Sequence, residues 1–492
     1  VLSYYRRDGS LSKGLFDQPL PDGRGFDINI QYSNREKLIR LCGKMNNISK
    51  KFIDLLEEAV FSGDFACPKA YEHIAALIGD ARLVLMGEAT HGTAEFYQIR
   101  MQLSQYLIQH KGFQAIAIEG DWTSAYPIYA YLQGKGEVEN PMQALNAFKR
   151  FPSWMWRNHL VPNFLRSLRQ YNDQMNSPEK KVGFYGLDLY CLNESAQAVI
   201  AYLQAHHPEA AKNAIERYAC FDHMHADSQM YSYLVEHRLK ESCLKEVTEQ
   251  LLELQHLIYH DIKVNLPERD EQFYAMQNAR VVKNAEAYYR ALFESHHVTW
   301  NIRDQHMADT LQNIIAHLET ISKKPTKVIV WAHNSHIGDA RATEMSERQE
   351  INLGQLVRER FNTSSFLLGF STAIGKVTAA SHWDGPYAEK KVQAPIQGSY
   401  EYLFHQLKEK NFLLDLRDEN QLMRLLASPQ LQRAIGVIYR PETERMSHYF
   451  FSKLPHQFDA LIHMDETHAL IPLDKKDKLF QKELPETYPE GF

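Results

Sequence analysis

Short apolar runs alternate with stretches of helical period from about residue 68 to residue 190: "RLVLMGE", a helical pattern through Arg100 and Leu107, "AIAIEGDW", a second helical pattern, and "KVGFYGLD". An apolar run of this length bounded by turn signals fits a strand buried on both faces, and the helical segments between the runs supply its cover. Alternation of this kind specifies βαβ units and a mainly parallel sheet. Between about 190 and 320 strand signals nearly vanish. There Phe273, Met276, Val282, Ala285, Tyr289 and Leu292 mark one face of a long helix. Strand-like runs resume with "KVIVWAHNSHIG", "SFLLGFS", "KVTAAS", "AIGVIYRP" and "DALIHMDE". The expected fold class is α/β, a mainly parallel sheet flanked by helices with a large helical insertion or lobe. The expected divisions are an extended arm over 1–35, the first part of the α/β core over 36–190, the lobe over 191–322, and the rest of the core with a C-terminal tail over 323–492.

Charge and cysteine content exclude several classes. With 55 basic against 61 acidic residues and a net of −6, the chain has no broad basic field, which argues against a nucleic-acid partner. No apolar stretch approaches the roughly 20 residues of a membrane span, so no membrane partner is expected. The first residues, "VLSYYRRDGSLSKG", have no apolar signal core, although a chain that starts at Val leaves any removed leader out of view. Five cysteines (Cys42, Cys67, Cys191, Cys220 and Cys243) are odd in number and form no CxxC. That pattern argues against a disulfide framework or a thiolate zinc site and fits a reducing, cytoplasmic setting. Oligomeric state is not legible.

Three apolar runs end in titratable pairs. "LVLMGEATHG" ends in Glu88 and His91, "AIAIEGDW" in Glu119 and Asp121, and "VIVWAHNSHIGD" in His333 and His336. In a parallel sheet the strands' carboxyl ends share one edge, where ligands bind in open α/β folds. Buried charges cost several kcal/mol unless paired, so three such ends predict one shared site rather than decoration. Arg100, nine positions beyond His91, falls on the following helix, placed to pair with Glu119 or to reach a bound oxyanion. "GFYGLD" adds Asp188 by the same reasoning. The stretch "FPSWMWRN" offers Trp154 and Trp156 to an apolar cleft, with Arg157 at its rim.

A histidine tuned near neutral pH suits proton abstraction from water, with carboxylates to orient it. No G-x-S-x-G elbow signals a serine nucleophile. His333-x-x-His336 with Glu88, His91 and Glu119 has enough nitrogen and oxygen donors for zinc or manganese, but no HExxH is present. The leading expectation is a hydrolase with no metal or other cofactor acting on a small molecule; the alternative is a metallohydrolase using the same cluster.

"GEATHG" with Arg100, "AIEGDW", "FPSWMWRN", "GFYGLDLY", "VWAHNSHIGD" and "IGVIYRPETERMSHYF" together resemble the erythromycin esterase family, whose members are also labelled succinoglycan biosynthesis proteins. The resemblance runs from about residue 70 to residue 470. It implies an α/β core with a helical lobe and an ester or lactone hydrolase without bound metal. It also implies His91 as the water-activating base, Glu88, Arg100 and Glu119 as its acidic and basic site residues, and His333 or His336 as a second site histidine. Arg100 with that second histidine would steady the charge developing on the carbonyl oxygen. Macrolide lactones, and with them antibiotic resistance, are among the substrates and roles the family implies, alongside many relatives of other substrate. Remote kinship of fold with haem-binding lipoproteins keeps a non-catalytic reading open, with the histidines as axial ligands.

Overall fold

The computed structural model describes residues 50–221, 231, 234–237, 240–260, 266–292, 294 and 296–474; the N-terminal arm expected over 1–35 lies outside them. Residues 53–492 belong to one compact unit. Its strands are β1 (Phe61–Ser62), β2 (Leu83–Met86), β3 (Ala115–Asp121), β4 (Gly183–Asp188), β5 (Val328–Trp331), β6 (Ser365–Ala379), β7 (Ala388–Val392), β8 (Asn411–Asp415), β9 (Gln430–Arg433), β10 (Tyr449–Ser452) and β11 (Ala460–Thr467). Among the described residues they build a nine-stranded sheet of order β1-β8-β11-β6-β2-β5-β3-β4, with β7 on β6, and a separate β9–β10 pair. From β11 through β6, β2, β5 and β3 to β4 every neighbour is parallel; β1, β7 and β8 pair antiparallel.

The helices that position the site are α1 (Ala94–Lys111), α2 (Trp122–Gln133), α3 (Leu192–His206), α4 (Pro208–Tyr218), α5 (Leu244–His260), α6 (Leu266–Arg290) and α7 (His296–Ser322). Every residue of "LVLM" in β2 and "VIVW" in β5 is buried. Strands covered on both faces carry continuous apolar runs for this reason, and each fully buried large side chain contributes roughly 1.5–3 kcal/mol. Between β4 and β5 the described elements are all helical. Val199, Leu203, Val247, Leu254, Ala279 and Val282 are among the buried residues of a core of their own there. In that region a Cys220–Cys243 disulfide, with Cα atoms 6.0 Å apart, leaves Cys67 and Cys191 as the described free thiols. This corrects the expectation of unbridged cysteines: helix packing joins two residues whose sequence spacing carries no motif.

Three of the expected strand runs differ in the fold. "SFLLGFS" and "KVTAAS" fall largely in one long strand, β6, and "AIGVIYRP" is not a strand of the sheet. The latter segment crosses the strand ends, with Ile435 donating its N–H to the Ala89 carbonyl (2.9 Å), His91 donating to the Ile435 carbonyl (3.3 Å), and Ala380 donating to Val437 (3.0 Å). Its backbone meets the site turn, while its Ile435 and Tyr439 side chains are buried with Val377 and Ala379 of β6 and Val392 of β7.

Candidate active site

The strand order places β2, β5, β3 and β4 side by side, so Glu88 and His91, His333, Glu119 and Asp188 emerge from adjacent carboxyl ends. The turn after β2 is close-packed. A Cβ at Gly92 would run into the Thr378 backbone and one at Gly87 into the Asn334 side chain, so only glycine fits. The Asn334 amide donates to the Glu88 carbonyl (2.9 Å), which ties the turn after β2 to the turn after β5.

Glu88 is almost wholly buried and divides its two oxygens. Oε1 lies 2.8 Å from His91 Nδ1, and Oε2 accepts from Arg100 Nη2 at 2.7 Å. A carboxylate accepts but does not donate, so His91 carries a proton on Nδ1, and in the neutral ring Nε2 keeps its lone pair. Arg100, 1% exposed, is also stacked between Tyr97 (4.5 Å) and Trp331 (5.1 Å). Its charge is committed to Glu88; it pairs neither with Glu119 nor with anything in the cleft.

The His91 and His333 rings are 4.8 Å apart. His333 is the N-cap residue of a short helical turn, and its Nδ1 accepts from the Ser335 N–H (3.3 Å) with Ser335 Oγ at 2.8 Å. A backbone N–H only donates, so Nδ1 is the unprotonated nitrogen and the proton of neutral His333 sits on Nε2. Burial and the neighbouring His91 hold His333 well below the ordinary histidine value, with Glu119 and the Ala89 backbone acting weakly the other way. Nε2 is buried and has no partner in full hydrogen-bond geometry, the Ala89 backbone being the group that interacts with the ring. An unmatched buried donor costs about 1–3 kcal/mol, and this one stands beside His91.

Glu119 holds the far side. Its Oε2 accepts the His333 N–H (2.8 Å), and its Oε1 accepts from Arg303 Nη2 (2.9 Å). Burial pushes Glu119 up, but His336, Arg303, His91 and the His333 amide outweigh it and keep the carboxyl well below its ordinary range. Arg303 also grips Asp188 through Nε (3.0 Å) and Nη2 (2.6 Å). His336 lies behind this pair. Its Nδ1 is 2.9 Å from Asp304 Oδ2, and its ring stacks on Trp300 at 4.5 Å. Burial lowers the His336 pKa, but Asp304 and Glu119 outweigh it and raise it.

Beside His91 opens a cleft, about 780 Å³ counting the open solvent at its mouth, lined by Phe148, Phe151, Met155, Trp156 and Trp383 and by the polar Glu119, Asp188 and Arg303. The structure therefore gathers Glu88, His91, Arg100, Glu119, Asp188, His333 and His336 into one cluster and brings Trp156 to the cleft. Two expectations are corrected. Trp154 is 1% exposed and packs on Phe151 and Tyr387 in the core. Arg157 is taken up by Asp474 in a two-point pair (2.6 and 2.7 Å). At the mouth stands Arg150 instead. Sequence reasoning missed Arg303, Asp304 and Trp300. Their signal was present, because Trp300, Arg303, Met307 and Leu311 recur at three-to-four spacing, putting a charge in the register of an apolar face.

Among the described residues no three or more His, Cys, Asp and Glu side chains converge as a metal set. Arg303 Nη1 is 3.1 Å from His336 Nε2, so a guanidinium already engages that ring nitrogen. The close approach of the His91 and His333 rings leaves no room for a porphyrin between them. Among the described residues, no helix is long and apolar enough to cross a membrane.

The erythromycin esterase family model matches residues 108–467. The chain belongs to the erythromycin esterase family. Similar proteins include a protein of Bacillus subtilis (strain 168) named putative hydrolase YbfO, 22% identical over 69% of this chain and 75% of its own. An erythromycin esterase type II of Escherichia coli is 22% identical over 67% of this chain and 80% of its own. The crystal structure of a succinoglycan biosynthesis protein, 22% identical, superposes with a TM-score of 0.71 over 87% of this chain and 99% of that one, a likeness of fold. Family and relatives together mark this erythromycin esterase family member as a hydrolase.

Proposed function

We propose that the chain hydrolyses an ester or lactone by direct attack of water, without a covalent enzyme intermediate or a bound metal. The observation that carries the reading is the facing pair: His91 with its Nδ1–H on Glu88, and His333 with a buried Nε2–H that no acceptor meets in full hydrogen-bond geometry. His91 Nε2 takes a proton from water as the water oxygen attacks the carbonyl carbon. The carbonyl oxygen becomes negative and accepts from His333 Nε2–H, a donor already in place and shielded from water. Collapse of the tetrahedral species breaks the bond to the leaving oxygen, which receives the proton from His91, and an acid and an alcohol are released. Glu88 fixes the His91 tautomer, Arg100 neutralises Glu88, and Glu119 with Arg303 anchors the His333 backbone.

The aromatic walls of the cleft suit a substrate with a sizeable apolar body. A macrolide, the substrate named for one relative, is one such molecule. The test is release of acid from 4-nitrophenyl acetate, a simple δ-lactone and erythromycin, by wild type and His91→Ala, each with and without a chelator. Turnover of at least one, unmoved by chelator and lowered about 10²–10⁴-fold in His91→Ala, is expected. Turnover that vanishes with chelator and returns with zinc, or a fully active His91→Ala protein, overturns the reading.

A further inference from the structure

A second cleft, about 530 Å³ counting the open solvent at its mouth, is lined by His333, Ser335, Trp300, Met345, Ala434 and Phe450 among others, with Arg348, Glu350 and His296 as its polar lining. The first cleft is lined by His91 and not His333; the second by His333 and not His91. The crossing segment 434–437 contributes to both, Val437 to the first and Ala434 and Gly436 to the second. The reacting pair thus stands at the partition between two clefts.

We propose that the second cleft is the acyl subsite of the hydrolase reaction, taking an apolar chain or ring on the carbonyl side of the scissile bond. The inference rests on the mechanism proposed above. There, the leaving oxygen must receive its proton from His91, so the leaving group belongs in the His91 cleft. The carbonyl oxygen lies against His333, which leaves the acyl carbon chain to continue past His333. Its surroundings there are Trp300, whose indole N–H is already spent on the Ile351 carbonyl (2.8 Å), and the buried Met345 and Phe450, so the walls are apolar. Arg348 is half exposed, and Glu350 is paired with His296 at 2.9 Å. Arg348 marks where the end of a longer acyl group would meet solvent.

The probe is 4-phenylbutyrate, the acid product of such an ester, with 4-phenylbutanol as the control for a leaving group. Binding is followed by calorimetry in wild type, in Met345→Trp, which fills the cleft from within, in Arg348→Trp, which fills it from the exposed rim and tests the idea if the first variant does not fold, and in Ser124→Trp in the first cleft. Saturable binding of 4-phenylbutyrate, weakened at least tenfold by either second-cleft variant and not by Ser124→Trp, is expected. The ratio of turnover for 4-nitrophenyl 4-phenylbutyrate over the acetate should collapse in the same two variants. No binding, or binding lost only in Ser124→Trp, overturns the subsite. Binding as expected with no ester hydrolysed would sink the hydrolase reading and leave an acyl-shaped pocket standing.

Discussion

His333→Asn separates catalysis from stability. Asparagine is among the best N-cap residues, and its side-chain oxygen can keep the Ser335 N–H that His333 Nδ1 accepts at 3.3 Å. What disappears is the Nε2–H. If that proton stabilises the oxyanion, kcat should fall about 10²–10³-fold, the usual effect of losing one such donor, or about 3–4 kcal/mol of barrier, with KM little changed because the interaction forms in the transition state. Stability should move much less. Removing a buried donor without a partner returns about 1–3 kcal/mol, while the smaller side chain gives up roughly 1–2 kcal/mol of ring burial. The two nearly cancel, and the melting temperature should shift by a few degrees at most. Initial rates of 4-nitrophenolate release, or of acid release from whichever ester is turned over, give kcat and KM; differential scanning calorimetry gives the rest. A folded His333→Asn protein with kcat within about tenfold of wild type would refute the oxyanion role.

Three other perturbations probe the framework. Glu88→Gln strands the buried Arg100 and frees the His91 tautomer, so it should cost about 3–5 kcal/mol in chemical denaturation and lower kcat as well; a variant as stable as wild type would mean that the Glu88–Arg100 pair is not buried as described. His306 is held at about 4 by burial, against an ordinary value of 6.5, so the unfolded chain takes up a proton below pH 6.5 that the folded one refuses until about pH 4. Stability should therefore drop by about 3 kcal/mol across that window and level off below it; His448, also held at about 4 by burial, acts in the same direction, and His306→Gln should flatten the fall measured by urea titration. The Cys220–Cys243 bridge spans 23 positions, for which chain entropy alone predicts about 3 kcal/mol. Reduction or Cys220→Ser should lower the melting temperature, and an unchanged melt would mean that the bridge does not form.

The sheet was legible because its central strands are buried on both faces, which leaves an unbroken apolar run in the sequence. "LVLM", "AIAI" and "VIVW" could hardly be read otherwise. "AIGVIYRP" has the same composition and misleads for that reason: its Ile435 and Tyr439 are buried on residues of β6 and β7 without the segment joining the sheet as a strand, and composition reports burial, not the partner. Trp154 and Trp156 show the same limit two positions apart, one in the core and one on the cleft, with nothing in the local sequence to separate them. Arg157 was placed at a rim because its partner, Asp474, lies 317 positions away.

The charged residues missed, Arg303 and Asp304, share a place in the topology with Arg100, which the sequence did point to. Parallel strands all start from one edge of the sheet, so each connecting helix must begin near the opposite, carboxyl edge in order to hand the chain back. The first turns of such helices consequently face the crevice where ligands bind. Arg100 lies in the second turn of α1, which follows β2, and Arg303 and Asp304 lie seven and eight residues into α7, the helix that delivers the chain to β5. The helical lobe is thus part of the site: its last helix enters at the reacting edge with Arg303 and Asp304, and one strand later the same pass of chain returns to that edge with His333 and His336. A charge in the first turns of a helix that leads into a buried parallel strand, in register with apolar neighbours, is a site candidate on the same physical grounds as a charge at a strand's end. Applied to "TWNIRDQHMAD", that criterion selects Arg303, the cation that pairs with Glu119 and Asp188.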